Sequence, residues 1–250
     1  MSISAGHVIL VTGASGAIGY EIAAQAAAAG AVVAVHGSSV ESVAKVMERL
    51  AARVPGATLI AAPADFRTEG AIESMVATVV AEAGRLDAVI HCGITGAGGI
   101  AGPLAKTNPA NFGDHAALVL GSFQRLCFAA LPHLAVQGGT IIGFASDAGK
   151  FASPRQAVIG AAFGGIMTFV RNLAMDVSRQ GVRVHCISPS FVADTPVFEM
   201  HAARAGSAFD KAGLGLPTPK DIAPMALFLC GAGATKITGQ IISINGGLNA

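Results

Sequence analysis

Val8-Ile9-Leu10-Val11 runs without a break into Thr12-Gly13-Ala14-Ser15-Gly16-Ala17-Ile18-Gly19. No other stretch limits the chain's folding options as much as this junction. An apolar run of that length suits one strand, and the alanine-rich residues 19–29 that follow suit a helix closed by Gly30. Glycines at 13, 16 and 19 let the backbone turn tightly, approach a pyrophosphate and open a helix whose N-terminal amides face the phosphates. The same glycines also allow close strand–helix packing, so they speak more directly for the fold than for a bound ligand.

The alternation continues along the chain. Apolar runs at 31–36, 58–62, 88–91, 140–144, 183–188 and 241–244 read as further strands. They are continuous enough in apolar character to be buried on both faces. Helical patterns occupy 40–53, 70–83, 111–131, 155–179 and 221–230, the first stopped by Val54-Pro55-Gly56. Strand–helix alternation of this kind predicts an α/β fold, a doubly wound parallel sheet with right-handed crossovers. No linker or internal repeat divides residues 1–250, which predicts a single domain. Residues 189–219 are the least regular and are expected to form a mobile cover over a cleft.

Charge and cysteine usage exclude several classes. The formal net charge is +1, and no Lys/Arg cluster forms a basic stripe, so nucleic acid is not an expected partner. Cys92, Cys127, Cys186 and Cys230 lie far apart with no metal-ligand spacing, which predicts reduced, buried thiols and no metal site. The N-terminus lacks the charged start of a secretory signal. Residues 126–146 carry no Asp, Glu, Lys or Arg, but Pro132, His133, Gln137 and Gly138-Gly139 interrupt them. They read as helix, turn and buried strand rather than a membrane span, and a cytoplasmic protein without a membrane partner is expected. Hydrophobic residues make up 52% of the chain and charged ones 12%. Apolar surface in that excess predicts partner subunits, a sticky monomer being the alternative.

The Thr12–Gly19 run resembles that of the short-chain dehydrogenase/reductase family, and the resemblance covers essentially the whole chain. It implies a Rossmann-like domain and a site for NAD or NADP lined by Gly13, Ser15, Gly16, Ile18, Gly19, Ser38 and Asp65. Asp65 would face the adenine amino group; the competing reading is a loop cap. After the second strand stands His36-Gly37-Ser38-Ser39, with neither an Asp for a ribose 2′-hydroxyl nor an Arg for a 2′-phosphate, so NAD and NADP both stay open. His91-Cys92-Gly93-Ile94 stands for the family's Asn-Asn-Ala-Gly, with Ile94 where a Gly is usual. Pro189-Ser190 replaces Pro-Gly, and Thr195 comes one position late.

In the family a Tyr protonates the developing alkoxide, a Lys lowers the Tyr pKa, a Ser polarises the carbonyl and an Asn supports a proton-relaying water. Residues 143–149 match the family's Ser segment and place Ser146 on the catalytic Ser. Thirteen residues later stands Ile159, and four beyond it Phe163; Leu173-Ala174 anchors that alignment from downstream. The segment Leu118-Val119-Leu120-Gly121-Ser122-Phe123 places Leu118 on the Asn. General acid–base catalysis contributes about 10²–10⁴-fold, and each electrostatic donor removed costs on the order of 10²–10³-fold. Hydrocarbon side chains supply neither, which leaves Ser146 vestigial. Asp147 and Lys150, read as a solvated turn, and His91, His115 and His185 are the candidates for a displaced donor; His185 sits where the family often has a structural Asn.

The resemblance therefore implies a pseudoenzyme: a non-catalytic subunit paired with an active paralogue in a heterotetramer, NAD being bound and a hydroxyacyl-CoA of aromatic hydrocarbon catabolism oxidised in the partner. The family's interfaces use the helices of the Asn and Tyr positions and the last strand. Ala161-Ala162, Gly164-Gly165 and Met167 give one such helix a small apolar face. A homo-oligomeric NAD(P)-dependent reductase with a displaced donor, and a nucleotide-binding sensor, are the rival readings.

Overall fold

The computed structural model describes residues 3–93, 98–196, 198–199 and 210–249. Seven strands form one parallel sheet: β1 (Val8–Thr12), β2 (Val32–Gly37), β3 (Thr58–Pro63), β4 (Ala88–His91), β5 (Gly139–Phe144), β6 (Val182–Pro189) and β7 (Ile241–Ile244). Their spatial order is β3-β2-β1-β4-β5-β6-β7. The direction of winding reverses between β1 and β4, where Leu10 pairs with Ala34 on one side and Val89 on the other. In open α/β sheets ligands bind at such a reversal, beyond the carboxyl ends of the strands.

Side-chain alternation along the strands builds two cores. Ile9 and Val11 face one way, joining Ile22, Val43, Leu50, Ile222 and Leu227 from helices α1 (Ala17–Ala28), α2 (Val40–Arg53) and the last helix, α7 (Pro219–Cys230). Val8 and Leu10 face the other way, joining Ile72, Val79, Phe123, Ile166 and Val170 from α3 (Ala71–Ala83), α5 (Ser122–Leu134) and α6 (Ala157–Val177). A central parallel sheet is buried on both sides, so its strands are apolar without a break; all five residues of β1 are buried.

The helix read as one piece over 111–131 is interrupted. A short α4 (Phe112–Ala116) leads into a π turn, Ala117–Gly121, before α5 resumes. At this break the Ser122 hydroxyl donates back to the Leu118 carbonyl at 2.5 Å, a bond that competes with the regular ladder. Pro132 does not end the helix; it sits in the last turn, and α5 runs on to Leu134. The helical stretches Pro109–Leu134 and Ala157–Gln180 are long and apolar enough to cross a membrane by length and composition alone. Both lie against the sheet by one face, yet only 39% and 33% of their most apolar windows are buried.

Of the expected cover at 189–219, residues 197 and 200–209 lie outside the described residues. The described base is tied down: the Ala193 amide donates to the Pro217 carbonyl at 2.8 Å, and the Leu214 amide to that of Gly246 at 2.9 Å.

Candidate active site

Gly13 and Gly19 are required by packing. Gly13 has φ +67°, and a Cβ there would stand 2.6 Å from the Gly93 backbone; a Cβ on Gly19 would stand 2.4 Å from the Gly13 carbonyl oxygen. Gly16 has more room, its nearest neighbour 3.4 Å away, and it is the residue from which α1 starts. No side chain caps α1 and no acid stands in its first turn. The other two helices opening nearby are capped, α2 by Ser39 with Ser42 and α7 by Thr218 with Asp221. The free amides of α1, beside exposed Ser15 and Gly16, form the arrangement that holds a phosphate. Ile18 is half-buried and packs onto the α1 core.

His36 acts differently from the sequence reading, which registered there only a missing Asp or Arg. Its Nδ1 accepts the Gly13 N–H at 3.0 Å, so Nε2 carries the ring hydrogen and donates to the Ala64 carbonyl at 3.0 Å. The His36 carbonyl also accepts the Ala14 N–H at 3.0 Å. The imidazole thus latches the glycine loop from below, and burial pushes its pKa down to about 4, keeping it neutral as the latch requires. It stacks on Phe66 at 4.4 Å, Phe66 on His91 at 6.0 Å, and His91 on Phe123 at 5.4 Å. His91 bonds the Thr12 hydroxyl through Nδ1 at 2.8 Å; it is fully buried, and burial pushes its pKa down to about 3. Ile94, read as standing where a Gly is usual, lies outside the described residues, while Gly93 before it lies close against Gly13.

Ser38 and Asp65 are exposed beyond β2 and β3. Asp65 Oδ1 accepts the Arg67 N–H at 3.0 Å, so the loop-cap role is real and engages one of the two carboxyl oxygens.

At the other end of the cleft, Ser146 follows β5 and caps the turn Asp147–Gly149, its Oγ accepting the Ala148 N–H at 3.3 Å. This turn lies directly on the start of α6. A Cβ on Gly149 would fall 2.5 Å from the Gly164 amide nitrogen and 2.9 Å from Phe163 Cβ, and one on Gly160 would fall 2.5 Å from the Ala148 carbonyl oxygen. The contact brings Ile159 and Phe163 beside the serine turn. Phe163 is buried in the core, and Ile159 is half-buried against it. Leu118 sits half-buried in the π turn, and its carbonyl is occupied by Ser122. The chain's one tyrosine, Tyr20, belongs to α1 on the opposite face of the sheet, under the Arg49 guanidinium at 4.2 Å.

Asp147 is not the solvated turn residue expected from the glycine beside it. It is 1% exposed, and both carboxyl oxygens accept hydrogen bonds. Oδ1 takes the Ser188 and Ser243 hydroxyls, each at 2.9 Å; Oδ2 takes the Asn245 amide at 2.6 Å and the Asn249 amide at 3.5 Å. The carboxyl group ties the ends of β5, β6 and β7 to the C-terminal segment. Lys150 is drawn into the same knot, donating to the Ser243 hydroxyl at 3.0 Å. Nothing local in sequence signals these partners.

His185 is fully buried and held neutral, its pKa pushed down to about 4 chiefly by burial. His115 is buried with neither ring nitrogen partnered, and burial lowers its pKa too. Thr195 is buried and donates to the Val192 carbonyl at 2.8 Å. The four cysteines are free; burial pushes the thiols of Cys186 and Cys230 up to about 12 and also raises those of Cys92 and Cys127.

A family profile described as "Enoyl-(Acyl carrier protein) reductase" matches residues 13–249. The 3-oxoacyl-[acyl-carrier-protein] reductase FabG of Chlamydia muridarum is 30% identical over 254 residues, covering 99% of both chains. The chain belongs to the short-chain dehydrogenase/reductase (SDR) family. Among solved SDR structures, a dehydrogenase/reductase from Sinorhizobium meliloti superposes with a TM-score of 0.91 at 28% identity, covering 100% of this chain and 98% of that one. Actinorhodin polyketide ketoreductase, solved with NADPH, superposes with a TM-score of 0.88 at 26% identity over 99% of each chain.

SDR relatives bind NAD(H) or NADP(H), and the residues here fit one part of such a dinucleotide. The uncapped α1 start, beside exposed Ser15 and Gly16, suits the phosphates. On the Ser146 side the described residues offer a hydroxyl whose neighbouring carboxyl group is fully engaged, and neither Ile159 nor Phe163 can supply a proton or a charge to the reactive end.

Proposed function

We propose that this SDR chain is a non-catalytic subunit that pairs with an active SDR paralogue, which binds NAD and oxidises a hydroxyacyl-CoA. The observation that carries this is the packing of the α6 start, at Gly160 and buried Phe163, onto the turn that follows Ser146, with half-buried Ile159 next to Gly160 in the chain. Neither group can deliver a proton or a positive charge to an alkoxide. Asp147 is spent on the β5–β6–β7 knot, and exposed Lys150 is turned onto it through the Ser243 hydroxyl. His91 and His185 are buried and held neutral at ordinary pH. These placements count against an active reductase with a displaced donor.

Pairing is supported by apolar side chains left on the outer face. Phe128 on α5 is 79% exposed, Val136 just beyond it 82%, and Met175 on α6 76%. Burying a Phe-sized side chain contributes about 1.5–3 kcal/mol, so such a face favours a partner subunit. For the substrate class, FabG and actinorhodin polyketide ketoreductase bear names of enzymes acting on oxoacyl and ketoacyl groups. The apolar replacement set resembles the inactive subunit of the dehydrogenase acting on 2-[hydroxy(phenyl)methyl]succinyl-CoA, the substrate we assign to the active partner. The reading keeps both subunits in the cytoplasm.

The test is to purify the chain alone and together with an SDR paralogue that retains its Tyr and Lys, and to follow NAD(H)-linked oxidation of the hydroxyacyl-CoA. We expect turnover from the pair and none from the lone chain. Turnover by the lone chain at ordinary enzymatic rates would falsify the proposal.

A further inference from the structure

A cavity of about 340 Å³ opens at the amino ends of β1, β4, β5 and β6, with His7, Arg85, Asp87, Gln137, Arg183 and Thr235 in its lining. The strands all run parallel, so this edge of the sheet is the one opposite their carboxyl ends. The lining shares no residue with the glycine loop or the Ser146 turn.

The charges around this cavity do not cancel. Asp87 is its one carboxylate among the described residues, and that group is fully engaged. Oδ2 accepts the Val8 N–H at 2.8 Å and Arg85 Nε at 2.9 Å; Oδ1 accepts Arg85 Nη2 at 2.6 Å and the Gln137 amide at 3.1 Å. Arg85 and Asp87 therefore neutralise each other. Arg183 is half-buried and enters none of the ion pairs among the described residues. Its acceptors are all uncharged: the Thr140 hydroxyl at 2.6 Å and the carbonyls of Leu229, Ala234 at 3.2 Å and Cys230 at 3.5 Å. Leu229 and Cys230 end α7, and a helix C-terminus carries about half a negative charge. Capping that helix offsets about half of the guanidinium's charge and leaves the cavity positive. Burial also lowers the Arg183 pKa, as it does for a cation withdrawn from water.

Hydrogen-bonding capacity is left over as well. Arg85 engages Asp87 through Nε and Nη2, and Arg183 engages its acceptors through Nη1 and Nη2. Arg85 Nη1 and Arg183 Nε have no partner among the described residues. Guanidinium N–H groups match the oxygens of carboxylates and phosphates, and a desolvated charge is costly until an opposite one joins it. We infer that this cavity binds a small oxyanion, an organic carboxylate or inorganic phosphate, on Arg85 and Arg183. Its volume lies at the lower end of the range for small-molecule sites, about 300–1,000 Å³. The inference does not depend on whether the chain turns over a substrate.

Isothermal titration calorimetry of the purified full-length chain tests it, with pyruvate and inorganic phosphate as separate probes at fixed ionic strength in chloride. At least one should bind saturably, one per chain. Thr235→Glu places a resident carboxylate in the lining from an exposed position and should weaken that binding at least tenfold. Arg183→Gln should weaken it equally; because that change also takes a cap from α7, Thr235→Glu is the deciding variant. Tighter binding of pyruvate identifies an organic carboxylate as the ligand, and tighter binding of phosphate an inorganic ion. Saturable binding of neither probe, or binding that Thr235→Glu leaves within twofold, overturns the inference. So does binding that survives Thr235→Glu but is lost in Gly16→Asp, which would put the anion at the glycine loop instead.

Discussion

In the loops beyond β1, β2 and β3 Ser15, Ser38 and Asp65 meet solvent, whereas at the ends of β5, β6 and β7 Asp147, Ser188, Ser243 and Asn245 meet each other. Asp65 and Asp147 show the contrast in one residue type. Asp65 has an exposed side chain whose Oδ1 meets only Arg67, its amide at 3.0 Å and its exposed guanidinium at 3.8 Å, while Asp147 is 1% exposed with four side-chain donors around its carboxyl group. A cleft wall that binds ligands has to leave hydrogen-bonding capacity unspent, and a wall that only carries load satisfies it internally. By that criterion the glycine-loop side leaves polar groups unspent, while the carboxyl group beside Ser146 is spent inside the fold, the contrast on which the proposed function draws.

Acid should affect both sides most. His36, His91 and His185 are held neutral in the fold, with pKa values of about 4, 3 and 4 against 6.5 unfolded. Below pH 6.5 the unfolded chain therefore binds more protons than the folded one, and stability falls as pH falls. The contribution is fully present above pH 6.5 and is lost on the way down toward the folded values. Each unit costs about 1.4 kcal/mol per histidine, so at pH 5 the three together cost about 6 kcal/mol, comparable with the stability of a whole domain. Urea unfolding followed at pH 7 and pH 5 measures this, and equal midpoints would show that the histidines are not held neutral.

Asp147→Ala should come next, at about 3–5 kcal/mol, because it orphans donors on two strands, Ser188 of β6 and Ser243 of β7, and on the C-terminal segment. The matched change Asp65→Ala should stay within about 0.5 kcal/mol. Similar effects from the two would erase the distinction between the walls.

Phe163→Lys puts the family's cation back into a position now buried against Gly149 and the core. A lone ammonium there should cost about 2–4 kcal/mol, read from the thermal midpoint. A stability unchanged by the lysine would mean the serine side is more open than its packing shows. The smallest effect belongs to Gly16→Ala. With 3.4 Å of clearance and an extended backbone, it should shift stability by no more than about 0.5 kcal/mol, whereas Gly19→Ala, aimed into the Gly13 carbonyl, should cost more in the same assay.

Much of this was legible in the residues themselves. Strand and helix periodicity set out the seven strands and the main helices, with boundaries that moved by a few residues. The run Thr12–Gly19 announced the glycine loop, and the spacing from Ser146 to Ile159 and Phe163 led to the proposal that a donor and a cation are missing. Those signals are local: a pleat repeats every two residues and a helix about every 3.6, so a single segment carries them. The π turn was less legible, because the bond that marks it runs from a hydroxyl to a carbonyl within an otherwise regular helix.

From its order of residues alone, then, this chain determines a doubly wound parallel sheet and a glycine loop between its first strand and first helix. Only the tertiary structure decided that His36 latches that loop and that Asp147 is a buried knot rather than a solvated turn. The partners of Asp147 stand 41 to 102 residues away. Which polar groups end up facing water and which face each other is settled when distant strand ends arrive at the same edge of the sheet, and no local pattern encodes that meeting.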